Sequence, residues 1–368
     1  MAIMPSGSNE QLLKFLDNLK VKYEFVNAHT DGKSAFTLGR KLARHWNKLR
    51  SEYIFIRFLS KLDLKSGIVH TEFAPWQSFL VLWLLSKKTQ VFFTMHNSLP
   101  PVPGWRYLQW QIKFRLLARL KNFHIFTANK NTKESLRRLV PPDAFDKIKV
   151  IYANIDPEEI DEALAAEINR AELCRKYNLP EDKFLVLCVG QFIDRKGRWI
   201  FLEAAQKLLE DNKDIAFVWI SNSKPSAEEL ERTESYGLGK NFTLITSDQV
   251  GTEHIDLFKL MRLADVFALP SYVEGLPISI IEAMALGIPT ISTNINAIPE
   301  AVKHLETGWL IEPGNSEALV NAVQTLKDDQ NLRSELSKKG REYVLENFNE
   351  KVVAKIAVES YLEAFRTK

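Results

Sequence analysis

The run Val266-Phe267-Ala268-Leu269-Pro270-Ser271-Tyr272-Val273-Glu274-Gly275-Leu276-Pro277-Ile278-Ser279-Ile280-Ile281-Glu282-Ala283-Met284-Ala285 decides how this chain is read. It opens on four apolar residues, breaks at Pro270, turns through Glu274-Gly275-Leu276-Pro277 and then takes up helical spacing. A buried strand, a loop and a helix in that order are half of a βαβ unit. Two carboxylates, Glu274 and Glu282, sit eight positions apart, one in the loop and one expected in the first turn of the helix. Both border the crevice beyond the strand ends, where open α/β sheets bind ligands. Such a pair can hold the two ends of one polar ligand.

Working outward, the second half alternates β-rich runs at 184–189, 215–220, 242–246, 265–269, 288–293 and 308–311 with helical patterns. Trp199, Ile200, Ala204, Leu208 and Leu209 form one such pattern; Ile255, Leu257, Phe258, Met261 and Leu263 form another. The alternation indicates a parallel sheet covered by helices on both faces. The first half reads similarly, with strands expected at 23–26, 53–56, 67–70, 91–94 and 124–127. Met1-Ala2-Ile3-Met4 is a short first strand, followed by a turn at Pro5-Ser6-Gly7-Ser8 and a capping box from Ser8 to Gln11. A boundary falls near Asn178-Leu179-Pro180-Glu181-Asp182. The expected organisation is therefore an N-terminal domain over 1–178, a second over 179–345 and a C-terminal helical segment over 346–368.

A chain of 368 residues exceeds the usual single domain, and 45% hydrophobic with 26% charged residues is ordinary for a soluble globular protein. The longest strongly apolar run, Phe79 to Leu85, is too short to span a bilayer, and the start does not read as a secretory leader. Cys174 and Cys188 are too few for a metal cluster or a disulfide framework, and Cys188 lies in a strand. A cytoplasmic protein is expected, free or at the inner face of the cytoplasmic membrane. The net charge of +3 conceals an asymmetry: residues 1–180 hold 28 Lys and Arg against 17 Asp and Glu, whereas the rest holds 21 against 29. The basic half suits an anionic partner such as a membrane surface or an acidic acceptor, or merely has a different surface. Nothing points to nucleic acid. The stretch Trp105 to Leu120 mixes aromatics with bases. On a helical wheel Arg106 and Lys113 fall beside Trp110 and Leu117, and Arg115 and Arg119 beside Leu108 and Ile112. The faces do not separate, so a packed helix with snorkelling arginines is expected there.

Each candidate site residue has an ordinary explanation beside a functional one. Ser279 to Glu282 has the form of a capping box, which would make Glu282 structural; alternatively Glu282 accepts hydrogen bonds from vicinal hydroxyls such as those of a ribose. Glu274 is either solvated charge or a loop ligand. The helix opening after it offers free N–H groups at Leu276, Ile278 and Ser279, with Pro277 lacking one, and suits a phosphate. In Gly190-Gln191-Phe192-Ile193-Asp194-Arg195-Lys196-Gly197-Arg198, three cations crowd a helix N-terminus, where they are electrostatically misplaced unless an anion binds. The phosphate-binding pattern G-x-x-x-x-G-K-[ST] is absent. His96, after a first-half strand, is a candidate hydrogen-bond donor or base. No Asp-x-Asp triplet occurs, so no metal site of that form is expected, and charge neutralisation would fall to Lys196 and helix N-termini.

Taken together, Val189-Gly190-Gln191 with Lys196-Gly197, Leu269-Pro270-Ser271 with Glu274-Gly275-Leu276-Pro277 and Glu282-Ala283-Met284-Ala285, Gly287-Ile288-Pro289, Ile298-Pro299-Glu300, Thr307-Gly308 and Pro313-Gly314 resemble the retaining glycosyltransferases of family 4. The resemblance covers about 180–345 and, more weakly, 1–179 through Ile68-Val69-His70, Thr94-Met95-His96 and Asn154-Ile155-Asp156. It implies the GT-B fold, two Rossmann-like doubly wound domains facing across a cleft, with the C-terminal helix crossing back onto the first domain. It implies metal-independent transfer, with retention, from a UDP- or GDP-sugar to a carbohydrate or lipid-linked acceptor, in bacterial polysaccharide, lipopolysaccharide or glycolipid synthesis. The E-x7-E pair then divides: Glu282 on the donor ribose, Glu274 on the sugar hydroxyls. Lys196 and the amides near Ile278 and Ser279 would hold the diphosphate, Gly275, Leu276 and Pro277 would line the donor, Gly7 would approach the phosphates, and His96 would lie near the transferred sugar. Gln191 stands where the family commonly has arginine, for which Arg195 is the substitute, and Asn296-Ala297 replaces a double glycine. An epimerase or phosphorylase on the same fold, or a catalytically silent nucleotide-sugar-binding protein, are the alternatives.

Overall fold

The computed structural model describes residues 2–5, 20, 22–26, 50, 52–54, 56–62, 64, 67–72, 74–211 and 214–366. In the first half, β1 (Ala2–Pro5) and β2 (Tyr23–Val26) pair in parallel. Next come β3 (Ile68–Thr71), β4 (Gln90–Met95), β5 (Phe123–Thr127) and β6 (Lys149–Val150), which form a parallel sheet in that order. The second half holds β7 (Phe184–Val189), β8 (Ile215–Ser221), β9 (Phe242–Thr246), β10 (Val266–Leu269), β11 (Thr290–Thr293) and β12 (Trp309–Ile311). Their spatial order is β9-β8-β7-β10-β11-β12, all parallel. β8 and β10 are buried at every position, as strands covered by helices on both faces must be.

That order places the site. The chain runs outward from β7 through β8 to β9, then returns to lay β10 on the other side of β7. The crossovers leaving β7 and β10 therefore run in opposite directions, and the point where they part is the switch point, where doubly wound sheets bind ligands.

Two long helices close the chain, Gln330–Asn347 and Glu350–Arg366. Between them, Ile155 donates its N–H to the Phe348 carbonyl at 2.9 Å and accepts from Glu350 N–H at 2.9 Å. The last helix lies on the first half. Tyr361 Oη is 2.6 Å from His70 Nδ1, its ring meets Phe92 edge-on at 4.7 Å, and Gln90 Nε2 donates to the Ala364 carbonyl at 3.0 Å.

Two expectations need correction. The run 53–56 is not a strand: residues 52–54 and 56–59 are helical. Ile54, Phe58 and Leu62 are part-buried and Leu59 fully so, whereas Tyr53 is exposed. A short apolar run reads alike in either state. The helix Gly104–Ala118 is packed on one face only. Phe114 and Leu117 are buried and Trp110 stacks on Trp76 at 4.6 Å, but Leu108 and Ile112 face solvent with Arg115. The capping box expected from Ser8 to Gln11 lies outside the described residues.

Candidate functional site

The loop after β7 tightens into a single turn at Asp194–Lys196 that ends on Gly197 at φ 76°. A side chain there would be strained by the left-handed backbone, and its Cβ would sit 1.9 Å from the Pro270 carbonyl oxygen. The glycine thus lets the two loops touch. Tyr272 N–H donates to the Arg195 carbonyl at 2.8 Å and completes the junction.

This contact brings Lys196 and Glu274 together. Lys196 Nζ lies 2.6 Å from Glu274 Oε1, with both side chains largely withdrawn from water, at 12% and 6% exposure. Ser271 Oγ donates to the same oxygen at 2.9 Å, and Arg195 Nη1 reaches Glu274 Oε2 at 3.4 Å and the Val273 carbonyl at 3.0 Å. Lys196 runs across the face of Gly190, whose added Cβ would meet its Cε at 3.5 Å. Beneath it, burial pushes the Cys188 thiol well up, so it stays protonated. Arg198, read as a third cation for an anion, turns inward. It donates to Asp194 and to the Phe192 carbonyl, pairs with Glu229 and is 7% exposed, so its charge is already met. Gln191 is exposed at the mouth of the loop.

The helix after β10 spans Ile278–Ala285 with Pro277 as its N-cap and no side-chain cap. Ser279 is inside the helix, and Glu282 falls beyond its first turn. The expected capping box does not form, because Pro277 already imposes the φ that starts the helix one residue before Ile278. Leu276 and Pro277 are buried, while Ile278 stands 50% exposed at the opening. Glu282, 7% exposed, pairs instead with His254 Nε2 at 3.2 Å. The other ring nitrogen of His254 meets both oxygens of Glu159 at 3.1 Å. The Glu282 hydrogen bond, opposed by burial and helped by both carboxylate charges, raises the His254 pKa to about 9. His254 escaped the sequence reading because its partners lie 95 and 28 positions away and no local pattern links them.

The first half closes the site from above. A Cβ on Gly275 would lie 2.9 Å from Asn97 Oδ1 and 3.4 Å from the His96 carbonyl, so this glycine is where the halves meet. His96 follows β4 and its Nε2 is 3.0 Å from Glu72 Oε1, with both side chains exposed. Asn296 explains its own departure from the double glycine. It holds φ 45°, a region that asparagine tolerates, and donates Nδ2 to the Glu274 carbonyl at 2.8 Å. Glu300 reaches across the halves: its oxygens accept Lys130 N–H and Asn131 N–H at 2.8 Å each, and Tyr152 Oη at 2.8 Å. Gly7 lies outside the described residues. Among the described residues no group of three or more His, Cys, Asp or Glu is arranged to hold a metal ion.

Comparison with known proteins agrees with this layout. The family described as Glycosyl transferases group 1 matches residues 169–343. The UDP-Gal:alpha-D-GlcNAc-diphosphoundecaprenol alpha-1,3-galactosyltransferase of Escherichia coli is 31% identical over 206 residues, 55% of this chain and 51% of that protein. The chain spans about half the length of the curated relatives it matches. Among solved structures, a glycosyltransferase from Rickettsia africae superposes with a TM-score of 0.78 at 20% identity, covering 100% of this chain and 90% of that one. Anabaena HepE in complex with UDP superposes with a TM-score of 0.74 at 15% identity, covering 99% and 100%. The two parallel-sheet halves thus have the GT-B fold, and residues 169–343, the part that builds the switch-point site, match the model of the Glycosyl transferases group 1 family.

Proposed function

We propose that the protein is a retaining, metal-independent glycosyltransferase of family 4 that moves a sugar from a UDP- or GDP-sugar to a hydroxyl of a carbohydrate or lipid-linked acceptor in the cytoplasm. The observation that carries this reading is the buried Lys196–Glu274 contact at the switch point, a matched cation and anion waiting where a diphosphate and a sugar would lie. In this reading the donor diphosphate takes the ammonium of Lys196, with Arg195 and the N–H groups of Ile278 and Ser279 beside it. The released Glu274 then accepts from the sugar hydroxyls. Glu282, steadied by His254, accepts from the ribose. His96 faces the transferred sugar from the first half.

Chemistry follows from that placement. The bond from the anomeric carbon to the diphosphate oxygen breaks, the bond to the acceptor oxygen forms on the same face, and the departing diphosphate takes the acceptor proton. The protein supplies orientation and preorganised positive charge for the leaving group. The test is a panel of nucleotide sugars scored by thermal shift, followed by NMR of the product formed in the presence of a chelator. Stabilisation by one UDP- or GDP-sugar and a product of unchanged anomeric configuration are expected. No stabilisation by any of them, or an inverted product, overturns the reading.

A further inference from the structure

The helix Gly104–Ala118 is fixed to the first half by one face and leaves the other unpartnered among the described residues. Trp105, Leu108, Ile112 and Leu116 stand between 46% and 59% exposed, and Arg115 and Arg119 are exposed on the same side. Stepped at 100° per residue, those six positions fall within about a third of the helix circumference. Isolated exposed apolar residues need no explanation, but four of them in a row at helical spacing do. Beside it, the helix Pro75–Ser86 exposes Leu80 and Trp83, with Lys87 Nζ 5.3 Å from the Trp83 ring centre.

The segment that carries this face has charge of one sign. From Phe73 to Lys133 the sequence holds nine Lys and Arg and no Asp or Glu. An apolar stripe interleaved with arginines, on a segment without acids, matches a bilayer interface carrying anionic headgroups. The apolar side chains enter the acyl boundary and the guanidinium groups stay among the phosphates. A second copy of the chain is a poorer occupant, since a two-fold contact would set the same positive faces against each other. We infer that this face of the first half docks on an anionic membrane surface, with Trp105, Leu108, Ile112 and Leu116 inserted at the headgroup level. The inference does not depend on the transferase reading. It adds to it one consequence: His96 and Trp105 are joined by only eight residues, so the upper rim of the cleft would sit within about 30 Å of the bilayer.

The experiment is co-sedimentation of the full chain with vesicles of phosphatidylglycerol and phosphatidylcholine, against vesicles of phosphatidylcholine alone. Binding to the anionic vesicles only is expected. The double variant Leu108→Ser/Ile112→Ser should lower the partition coefficient at least about tenfold, and Arg115→Gln/Arg119→Gln about fivefold for each arginine removed. All four residues are exposed, so the far-UV circular dichroism melts of both variants should match the parent. Equal binding to neutral vesicles, no binding to either, or anionic binding that survives both double variants overturns the proposal. A dimer in light scattering that Leu108→Ser/Ile112→Ser dissociates would overturn it too, by giving the face to a second copy.

Discussion

Lys196 Nζ and Glu274 Oε1 lie 2.6 Å apart, each from a different strand loop, and neither has much access to water. The pair neutralises two charges that a doubly wound sheet would otherwise strand at its switch point. A ligand that takes either charge competes with this pairing. Ser271 and Arg195 also contact Glu274, so the carboxylate has partners besides the ammonium.

Lys196→Ala should lower kcat by roughly 10²–10³, the scale of losing one preorganised donor at a leaving group. It should also cost about 1–3 kcal/mol of stability, because Glu274 keeps its burial and loses its nearest cation. The double variant Lys196→Met/Glu274→Gln should recover stability but not rate. Steady-state kinetics with saturating donor and thermal melts of the three proteins separate the two effects. A near-normal rate for Lys196→Ala would remove it from the chemistry.

Glu282→Ala should weaken nucleotide binding by about 1.5–3 kcal/mol, the worth of a hydrogen bond to a charged group. Titration calorimetry with the free nucleoside diphosphate measures it. Unchanged affinity together with a lower melting temperature would make Glu282 a structural partner of His254 and nothing more.

The Glu282 and Glu159 contacts of His254 have a pH signature. Its folded pKa, about 9, is above the 6.5 of a free imidazole. A raised histidine pKa stabilises the folded state fully below pH 6.5, and that contribution is lost as the pH rises to about 9. The ring is partly exposed, so solvent screening reduces the effect to on the order of 1 kcal/mol. Melting temperature should fall across this window in the parent and fall less in His254→Ala. Parallel slopes in the two proteins would refute the coupling.

Glu300→Ala should loosen the contact between the halves. It removes the acceptor of two N–H groups and of the Tyr152 hydroxyl, whose pKa is pushed well up by burial and then by this carboxylate. A loss of about 1–3 kcal/mol is expected. Small-angle scattering should show a larger radius of gyration. An unchanged radius with an unchanged melt would show that Glu300 does not hold the halves together.

Gly197→Ala should cost at least about 1–2 kcal/mol from its left-handed backbone alone. Its Cβ also displaces Pro270, so donor affinity should drop with stability. Retained affinity in a destabilised variant would show that the two loops need not touch for binding.

Much of this was legible in one dimension because it depends on period and punctuation. The strands β7 to β12 are uncharged and short, and glycines and prolines separate most of them from the helices that follow. Backbone chemistry enforces those patterns locally, so the second half could be read almost strand by strand. The loop Glu274 to Pro277 and the cations at 195 and 196 stood out for the same reason, as local departures from what helix ends prefer. The run 53–56 could not be decided this way, because four apolar residues suit a strand or a helix equally. What only the tertiary structure decided concerns partners distant in sequence. The order in which β7 and β10 lie side by side joins Lys196 to Glu274 across 78 positions. Packing turns Arg198 inward to Glu229, and ties Glu282 to His254 where a capping box had been expected. Charge pairing at a few ångströms is set by which loops the sheet brings together, and nothing in local spacing encodes that.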